Sequence, residues 1–395
     1  PAGTGTGGGA AAHGTGGTAG TTGGSAVSAG AATPAAAAAS VVPAVDSGAV
    51  VPVVGAGAIG CGVGAALAEG GVRPLLVSDW EEHVAAVRCD GLRVEEADGT
   101  TRTVDADAAT TADLVAGGGP FPLAYLASKC QGTRRHAEAL AEVLAPDGAV
   151  VTVQNGINTD VLAEVLGPQR VLGGVAIFGA IRPAAGRVRR TGSGSWLVVG
   201  ELAGGRSARA EAVAALTSRG GWDTRVSENV LGIMWSKMIN NGMVNPMAVI
   251  GGWTVEEVMT HPGARSVCRA ILAEGVAVAA AEGVRLEPLP SIDIPGVGRW
   301  AIDGEVEKVE EDLLRFGRLF PGTRVSSLQD VDAGRATELP WFTGHIVAAG
   351  ARRGVPTPVS QAALAAALEI EGGRERTPEW VEATVEAIRA VEVRS

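Results

Sequence analysis

The stretch "AVVPVVGAGAIGCGVGAALAEGG", which begins at Ala49, constrains this chain more than any other. A β-branched run, Val50 to Val54, meets a glycine turn, and a small-residue helical stretch follows from Ile59 to Glu69. The turn itself, Gly55, Ala56, Gly57, Ala58, Ile59 and Gly60, fits G-x-G-x-x-G. A strand before it and a helix after it are the context in which that string binds a dinucleotide. Gly55 permits the tight turn, Gly57 lets the backbone approach a pyrophosphate, and Gly60 lets helix and strand pack closely. The helix N-terminus adds unpaired N–H groups and partial positive charge. A tight turn with no ligand is the plain alternative. Pro52 disagrees with a fully bonded central strand, because it has no N–H to give. Either that position faces no partner, or the strand starts at Val53.

"PLLVSD" reads as a second strand ending at Asp79. An acidic side chain there can accept hydrogen bonds from the adenosine ribose. Capping the following helix, beside Glu81 and Glu82, is its other reading. A carboxylate repels a 2′-phosphate, and Trp80 rather than a base comes next, so this pair suggests NAD(H). Further strands and helices alternate: "LAYLAS", a helix over "TRRHAEALAEVLAPDG", "AVVTVQNG", "DVLAEVLG" and "RVLGGVAIFG". Such alternation implies an α/β fold with a parallel sheet. Beyond about residue 228 helical stretches dominate, over 231–250, 264–282, 304–319, 340–354 and 359–370. The fold class expected is α/β, a Rossmann dinucleotide-binding domain over 49–228 followed by a mostly α-helical domain over 229–395. Residues 1–48 are Gly, Ala, Thr and Ser with almost no charge, and read as a disordered low-complexity tail. The tail lacks the basic start of a signal peptide.

The formal net charge of −11 makes nucleic acid and anionic membrane poor partners. No apolar run reaches the ~18 to 20 residues of a membrane span. Cys61, Cys89, Cys130 and Cys268 are far apart and the five histidines are scattered, so no metal site is expected and the thiols read as reduced and cytoplasmic. A small anionic substrate would need local positive charge inside a pocket.

"MWSKMINNGMVNP", Met234 to Pro246, concentrates scarce residues. It holds one of three lysines, Lys237, and three of six asparagines, Asn240, Asn241 and Asn245. Lys237, Asn241 and Asn245 recur every four residues and so share one helical face. Pro246 is expected to kink or end the helix. A cleft-facing polar stripe fits this better than a core face, with a solvated face as the alternative.

At this point the chain resembles the 2-dehydropantoate 2-reductases, also called ketopantoate reductases. "GAGAIG", "LASKCQGT" at 126–133, "VQNG" at 153–156, "WSKMINNGMVNP" at 235–246 and "SSLQDVDAGRATEL" at 326–339 occur in that family's order, over about residues 49–370. The resemblance implies reduction of 2-dehydropantoate to (R)-pantoate with NADP(H), in a cleft between a Rossmann and a helical domain. It makes Lys237 the catalytic general acid and Glu338 the catalytic-site glutamate that meets the substrate hydroxyl. Asn241 and Asn245 become substrate contacts, and Ser326 binds the substrate carboxylate. Asn155 lies near nicotinamide and substrate, and Lys129 near the cofactor. A homodimer is carried as an option. The chain departs from the family where "TELPWFTG" replaces "TEIDxxNG", where "SSLQD" replaces "SSMxQD", and where Trp80 replaces a base.

Hydride addition to a ketone builds negative charge on oxygen, which a protonated lysine can stabilise and then protonate. Burial should lower the Lys237 pKa, and Glu338 nearby should raise it. A same-fold enzyme for another 2-oxo or 2-hydroxy acid is the near rival, favoured by Trp341 and Phe342. A non-catalytic dinucleotide sensor is the distant one, and it has no need of Lys237 with Glu338.

Overall fold

The computed structural model describes residues 48–392, so the expected disordered tail lies outside the described residues. Strand β1 (Val50–Val54) runs through the glycine turn into α1 (Ala58–Glu69) and back to β2 (Arg73–Val77). Next come α2 (Glu81–Asp90), the short strands β3 (Leu92–Glu95), β4 (Thr101–Val104) and β5 (Asp107–Ala109), and α3 (Thr111–Gly117). The chain continues through β6 (Phe121–Leu126), α4 (Thr133–Val143), β7 (Leu144–Thr152) and α5 (Thr159–Leu166). A long hairpin of β8 (Val171–Ala184) and β9 (Arg187–Glu201), then α6 (Ala208–Arg219) and β10 (Asp223–Val226), completes the sheet.

The strands form one sheet in the order β4-β3-β9-β8-β7-β6-β1-β2-β5, with β10 added beside β9. From β5 to β8 the pairing is parallel, while β8 and β9 pair antiparallel. The chain grows outward from β1 to β2 on one flank and resumes at β6 on the other. A crevice therefore opens beyond the carboxyl ends of β1 and β6, the position where open α/β sheets bind ligands. Pro52 fits this register: β2 pairs with all of β1, but β6 joins only from Val53. Pro52 thus stands where one flank carries no ladder to break. The helix expected over "TRRHAEALAEVLAPDG" stops early, at Val143, and β7 begins at Leu144.

The remainder is helical, with α7 (Val230–Gly251), α8 (Val255–Thr260), α9 (Pro262–Ala281), α10 (Ile294–Ile302), α11 (Val306–Arg318), α12 (Ser326–Asp332), α13 (Thr343–Arg353), α14 (Pro358–Glu371) and α15 (Pro378–Glu392). Among the described residues no helix is long and apolar enough to cross a membrane. Every residue of α7 from Met238 to Ile250 is buried, so its neighbours enclose it on all sides. The expected break at Pro246 does not occur, since α7 runs on to Gly251 and closes at Gly252 in the left-handed conformation, φ +70°.

A proline inside a helix removes one N–H and leaves the carbonyl four residues earlier without a partner. That carbonyl is Gly242 O, and the Thr343 hydroxyl donates to it at 2.8 Å. Two further carbonyls of this turn accept side-chain donors, Asn241 O from Asn245 Nδ2 at 3.0 Å and Met243 O from Cys268 Sγ at 3.2 Å. Gly242 permits the close approach, because a Cβ there would stand 3.0 Å from Ile346 Cδ1 on α13. Thr343 is fully buried. Thr343→Val is expected to strand the Gly242 carbonyl and to cost about 1–3 kcal/mol, whereas Thr343→Ser should cost far less. Denaturant unfolding of the two variants checks this.

Candidate active site

The glycine turn has the shape a pyrophosphate needs. Gly55 adopts φ +95°, and a Cβ there would lie 2.3 Å from Ser128 N, so the loops after β1 and β6 touch. A Cβ at Gly60 would lie 2.2 Å from Gly55 O, whereas over Gly57 nothing comes closer than 4.0 Å. Gly57 caps α1 with no side chain over it, leaving the first N–H groups of the helix open to an anion. Ala56 is buried in the turn, and Ala58 and Ile59 open the helix. These residues fit the diphosphate of a dinucleotide on steric grounds.

Asp79 stands just beyond β2, but its carboxylate is already engaged. Oδ1 accepts from Thr111 Oγ1 at 2.8 Å and from Thr111 N at 3.3 Å. Oδ2 takes the Arg135 guanidinium. Partial burial pushes the Asp79 carboxyl up, and the bonds from Thr111 and Arg135 outweigh that and hold it below the usual range. It does not cap α2, whose N-cap is Trp80 without a side-chain bond. Trp80 follows Asp79 in the sequence, but a base reaches the carboxylate through space. Arg135 reaches it from α4, a helix that follows a different strand. A second guanidinium, Arg182 from β8, lies 4.6 Å from the Trp80 ring centroid and donates to Ala56 O at 2.9 Å. Nothing in the local string around Asp79 signalled either arginine.

At the other end of the crevice, Lys237 and Asn155 line one narrow cavity with Val153, Gln154, Gly156, Val175, Ala176 and Met234. Among the described residues the Lys237 amine meets no hydrogen-bond or ion-pair partner, and neither does the Asn155 side-chain amide. Burial holds the Lys237 pKa below the usual lysine value. Glu338 contributes nothing to that shift, contrary to expectation, because its carboxylate faces elsewhere. Its Oε1 accepts from Cys130 N at 2.9 Å and its Oε2 lies 3.7 Å from Lys129 Nζ. Lys129 also pairs with the buried Asp330, whose other oxygen takes Arg335 at 3.1 Å. The Lys129 ammonium is therefore committed to the helical half.

The asparagines divide their labour. Asn241 is buried on α7 and its side chain has no partner among the described residues. Asn245 accepts from Ser327 N at 3.3 Å while donating to Asn241 O. It thereby holds the first turn of α12, which begins at Ser326, against α7. Cys130 supplies a link that sequence reading missed. Its backbone N–H meets Glu338, and its Sγ lies 3.1 Å from Asn155 O and 3.3 Å from Asn158 Nδ2. A buried seam of polar contacts thus runs from Glu338 through Cys130 to the loop that carries Asn155.

Fold and crevice together define the class, an oxidoreductase that uses a nicotinamide dinucleotide. Comparison with known proteins narrows it. Residues 51–204 match the family described as ketopantoate reductase PanE/ApbA, and residues 229–371 match its C-terminal domain. The 2-dehydropantoate 2-reductase of Halobacterium salinarum is 32% identical over 295 residues, which is 74% of this chain and 89% of that one. The enzyme of that name from Archaeoglobus fulgidus is 30% identical over 64% of this chain and 77% of its own. A PanE/ApbA family ketopantoate reductase of known structure from Ralstonia eutropha superposes with a TM-score of 0.69 at 28% identity, covering 82% of this chain and 98% of that one. A D-mandelate dehydrogenase bound to NADH and anilino(oxo)acetate shares the fold, with a TM-score of 0.68 at 22% identity over 86% and 99% of the two chains. The chain belongs to the ketopantoate reductase family.

The pairing of Lys129 with Asp330 and Glu338 predicts a structural cost of its own. Lys129→Met leaves Glu338 with only the Cys130 N–H and Asp330 with only Arg335. The Lys129 side chain is about half exposed, 47%, so solvent screens part of its effect. A loss of about 1–2 kcal/mol is expected. The same change at Lys308, on the exposed face of α11, should be nearly silent. Thermal melts of the two variants, with an Asp330→Asn double-mutant cycle, measure the difference.

Proposed function

We propose that this protein reduces the ketone of a small anionic 2-oxo acid, 2-dehydropantoate in the first instance, to the (R)-hydroxy acid, with Lys237 as the general acid. One observation carries the reading. Lys237, half-buried on α7, and Asn155 share the cavity at the mouth of a dinucleotide crevice, and among the described residues neither its amine nor the Asn155 amide has a partner. A nicotinamide dinucleotide, when bound, supplies the hydride.

The chain's own groups do the rest. The Lys237 ammonium faces the carbonyl oxygen, stabilises the charge that develops there and delivers its proton to it. Burial without a carboxylate partner favours its neutral form, which eases release of the proton. Asn155 and Asn241 offer fixed dipoles without further charge. Ser326, held by Asn245 through the adjacent N–H, stands ready for the substrate carboxylate. Glu338, tied to Cys130 and Lys129, meets the substrate hydroxyl only by giving up part of that tie, so here its supported role is to join the halves of the site. Cytoplasmic residence and a homodimer belong to the same reading through the family.

Trp341 favours a second reading, reduction of an aromatic 2-oxo acid. Its backbone oxygen would stand 3.0 Å from a Cβ at Gly156, next to Asn155. Phe342 does not share this place, since it is fully buried. Steady-state rates with 2-dehydropantoate and with phenylglyoxylate separate the two readings.

Lys237→Ala is expected to lower kcat by about 10²- to 10⁴-fold while dinucleotide affinity, followed by fluorescence, stays near that of the unaltered protein. Lys237→Arg should restore little, because a guanidinium does not release its proton at working pH. The pH profile has a definite sign. The acid form is needed and its pKa is depressed, so kcat should fall as pH rises through a midpoint below that of free lysine. A flat profile with near-normal kcat in Lys237→Ala would make the lysine structural.

A further inference from the structure

Reduction in the Lys237 cavity needs the Asn155 amide in one place, yet among the described residues that side chain has no partner to keep it there. Its aim must come from the backbone that carries it. The turn from Asn155 to Asn158 follows β7 and leads into α5. It contains Gly156 at φ +74°, and glycine is the residue type that restrains a turn least. Something outside the turn has to hold it.

Asn158 stands at the N-cap of α5, where an asparagine ordinarily accepts from the first N–H groups of the helix. Here its side chain makes no such bond. It turns back instead, and Nδ2 donates to the Asn155 carbonyl at 2.9 Å and to Cys130 Sγ at 3.3 Å. The Cys130 thiol donates to the same carbonyl at 3.1 Å. The three groups close a triangle that uses every side-chain donor in it, two N–H of the amide and one S–H of the thiol. Both side chains are buried, so water does not compete for these bonds. Burial, and then Glu338, push the thiol pKa up, which keeps the proton on sulfur and the donor in place. We propose that Cys130 and Asn158 are positioning residues for the reduction, which clamp the Asn155 carbonyl from two sides and so aim the Asn155 amide at the substrate. The proposal rests on the role given to Asn155 under the proposed function.

The surroundings keep the clamp itself in place. The Cys130 N–H donates to Glu338 Oε1 at 2.9 Å, and the Cys130 carbonyl accepts from the Thr133 hydroxyl at 2.8 Å. Gln154, one residue before Asn155, donates to Thr133 Oγ1 at 2.9 Å and to Ser128 O at 3.0 Å. On the far side of the turn, a Cβ at Gly156 would lie 3.0 Å from Trp341 O. The backbone is therefore fixed before, at and after the Asn155 carbonyl, while the Asn155 amide is left for the cavity. An asparagine that served α5 alone would cap it. This one leaves the helix uncapped and spends both of its donors on the turn.

The test is steady-state kinetics of the full chain, with the tighter-binding of NADPH and NADH and the faster-reacting of 2-dehydropantoate and phenylglyoxylate. Dinucleotide affinity is followed by fluorescence, and melting temperature is measured alongside. Asn158→Ala removes both amide donors and should lower kcat by about 10- to 100-fold, the loss that a small misplacement of a reacting group produces. Dinucleotide affinity should change by less than about threefold, because the aimed group acts in the transition state. Cys130→Ala should lower kcat by about 3- to 10-fold, in line with one lost hydrogen bond, and Cys130→Ser, which keeps a donor, should recover most of it. The decisive measurement is a double-mutant cycle with Asn155→Ala. In that background Asn158→Ala and Cys130→Ala should each change kcat by less than about twofold, since no amide is left to aim. Cys130→Ala removes a single donor, so it carries the cycle if Asn158→Ala folds poorly. Equal losses of kcat in both backgrounds, or a Cys130→Ser variant no faster than Cys130→Ala, overturn the positioning role and leave the reductase reading intact. An unaltered kcat in Asn155→Ala overturns the role of Asn155 and the clamp with it, and no turnover of either acid overturns the reductase reading as well.

Discussion

The hydrogen bond from Thr343 Oγ1 to the Gly242 carbonyl sets the terms for the rest of the structure. Helix α7 is enclosed throughout its second half, so any backbone group that Pro246 leaves unpaired has no water to turn to. A side chain from another helix must answer it. Thr343 does so only if α13 lies directly on Gly242, and Gly242 has no side chain to prevent that. The position of α13 fixes in turn the segment before it, Thr337 to Phe342. That segment carries Glu338 to Cys130 and Trp341 to Gly156. One unpaired carbonyl therefore propagates, contact by contact, to the loop that holds Asn155. The family's usual asparagine at the Thr343 position is replaced here by a residue that keeps one hydroxyl donor, which is all that this carbonyl requires.

The α/β class and the helical second half were legible because they rest on strong local signals. A glycine turn between a β-branched run and a small-residue helix fixes β1 and α1, and five long apolar periods fix α7, α9, α11, α13 and α14. The missed elements are those whose pattern is weak. β3, β4 and β5 are three or four residues long and polar on one face. β9 mixes arginine, glycine and serine, and its pairing with β8, β3 and β10 rather than its own pattern makes it a strand. The α4 boundary went wrong because Pro146 and Gly148 look like a helix stop, while Leu144 already pairs with Phe121. Pro246 looked like a break because the sequence does not show that Thr343 will be there to mend it.

The site divides in the same way. Spacing alone placed Lys237, Asn241 and Asn245 on one face of a helix. It could not tell that Asn245 would spend its amide on the neighbouring α12, or that Lys129 and Glu338 would turn toward each other and away from Lys237. Nor could it find Arg135 and Arg182, which reach Asp79 and Trp80 from segments 56 and 102 residues away. Properties of a local string are readable, whereas the pairing of charges across a crevice is decided by topology.

Electrostatics explains why so few lysines are enough. The body is acidic, −11 overall, and most of its arginines are tied to carboxylates on the surface. Such pairs stabilise little and leave no net field. The crevice differs because its cations are only partly answered. Lys237 has no partner among the described residues, and Arg182 has a carbonyl and an aromatic face but no acid. Arginine serves where a charge has only to sit still against an anion, since its fork stays protonated and stacks on a ring. Lysine serves where burial must bring a proton within reach of transfer, since its pKa yields to desolvation and that of arginine scarcely does. The two residue types therefore divide the crevice, with arginines paired and stacked at the Asp79–Trp80 end and Lys237, its pKa lowered by burial, beside Asn155 at the other.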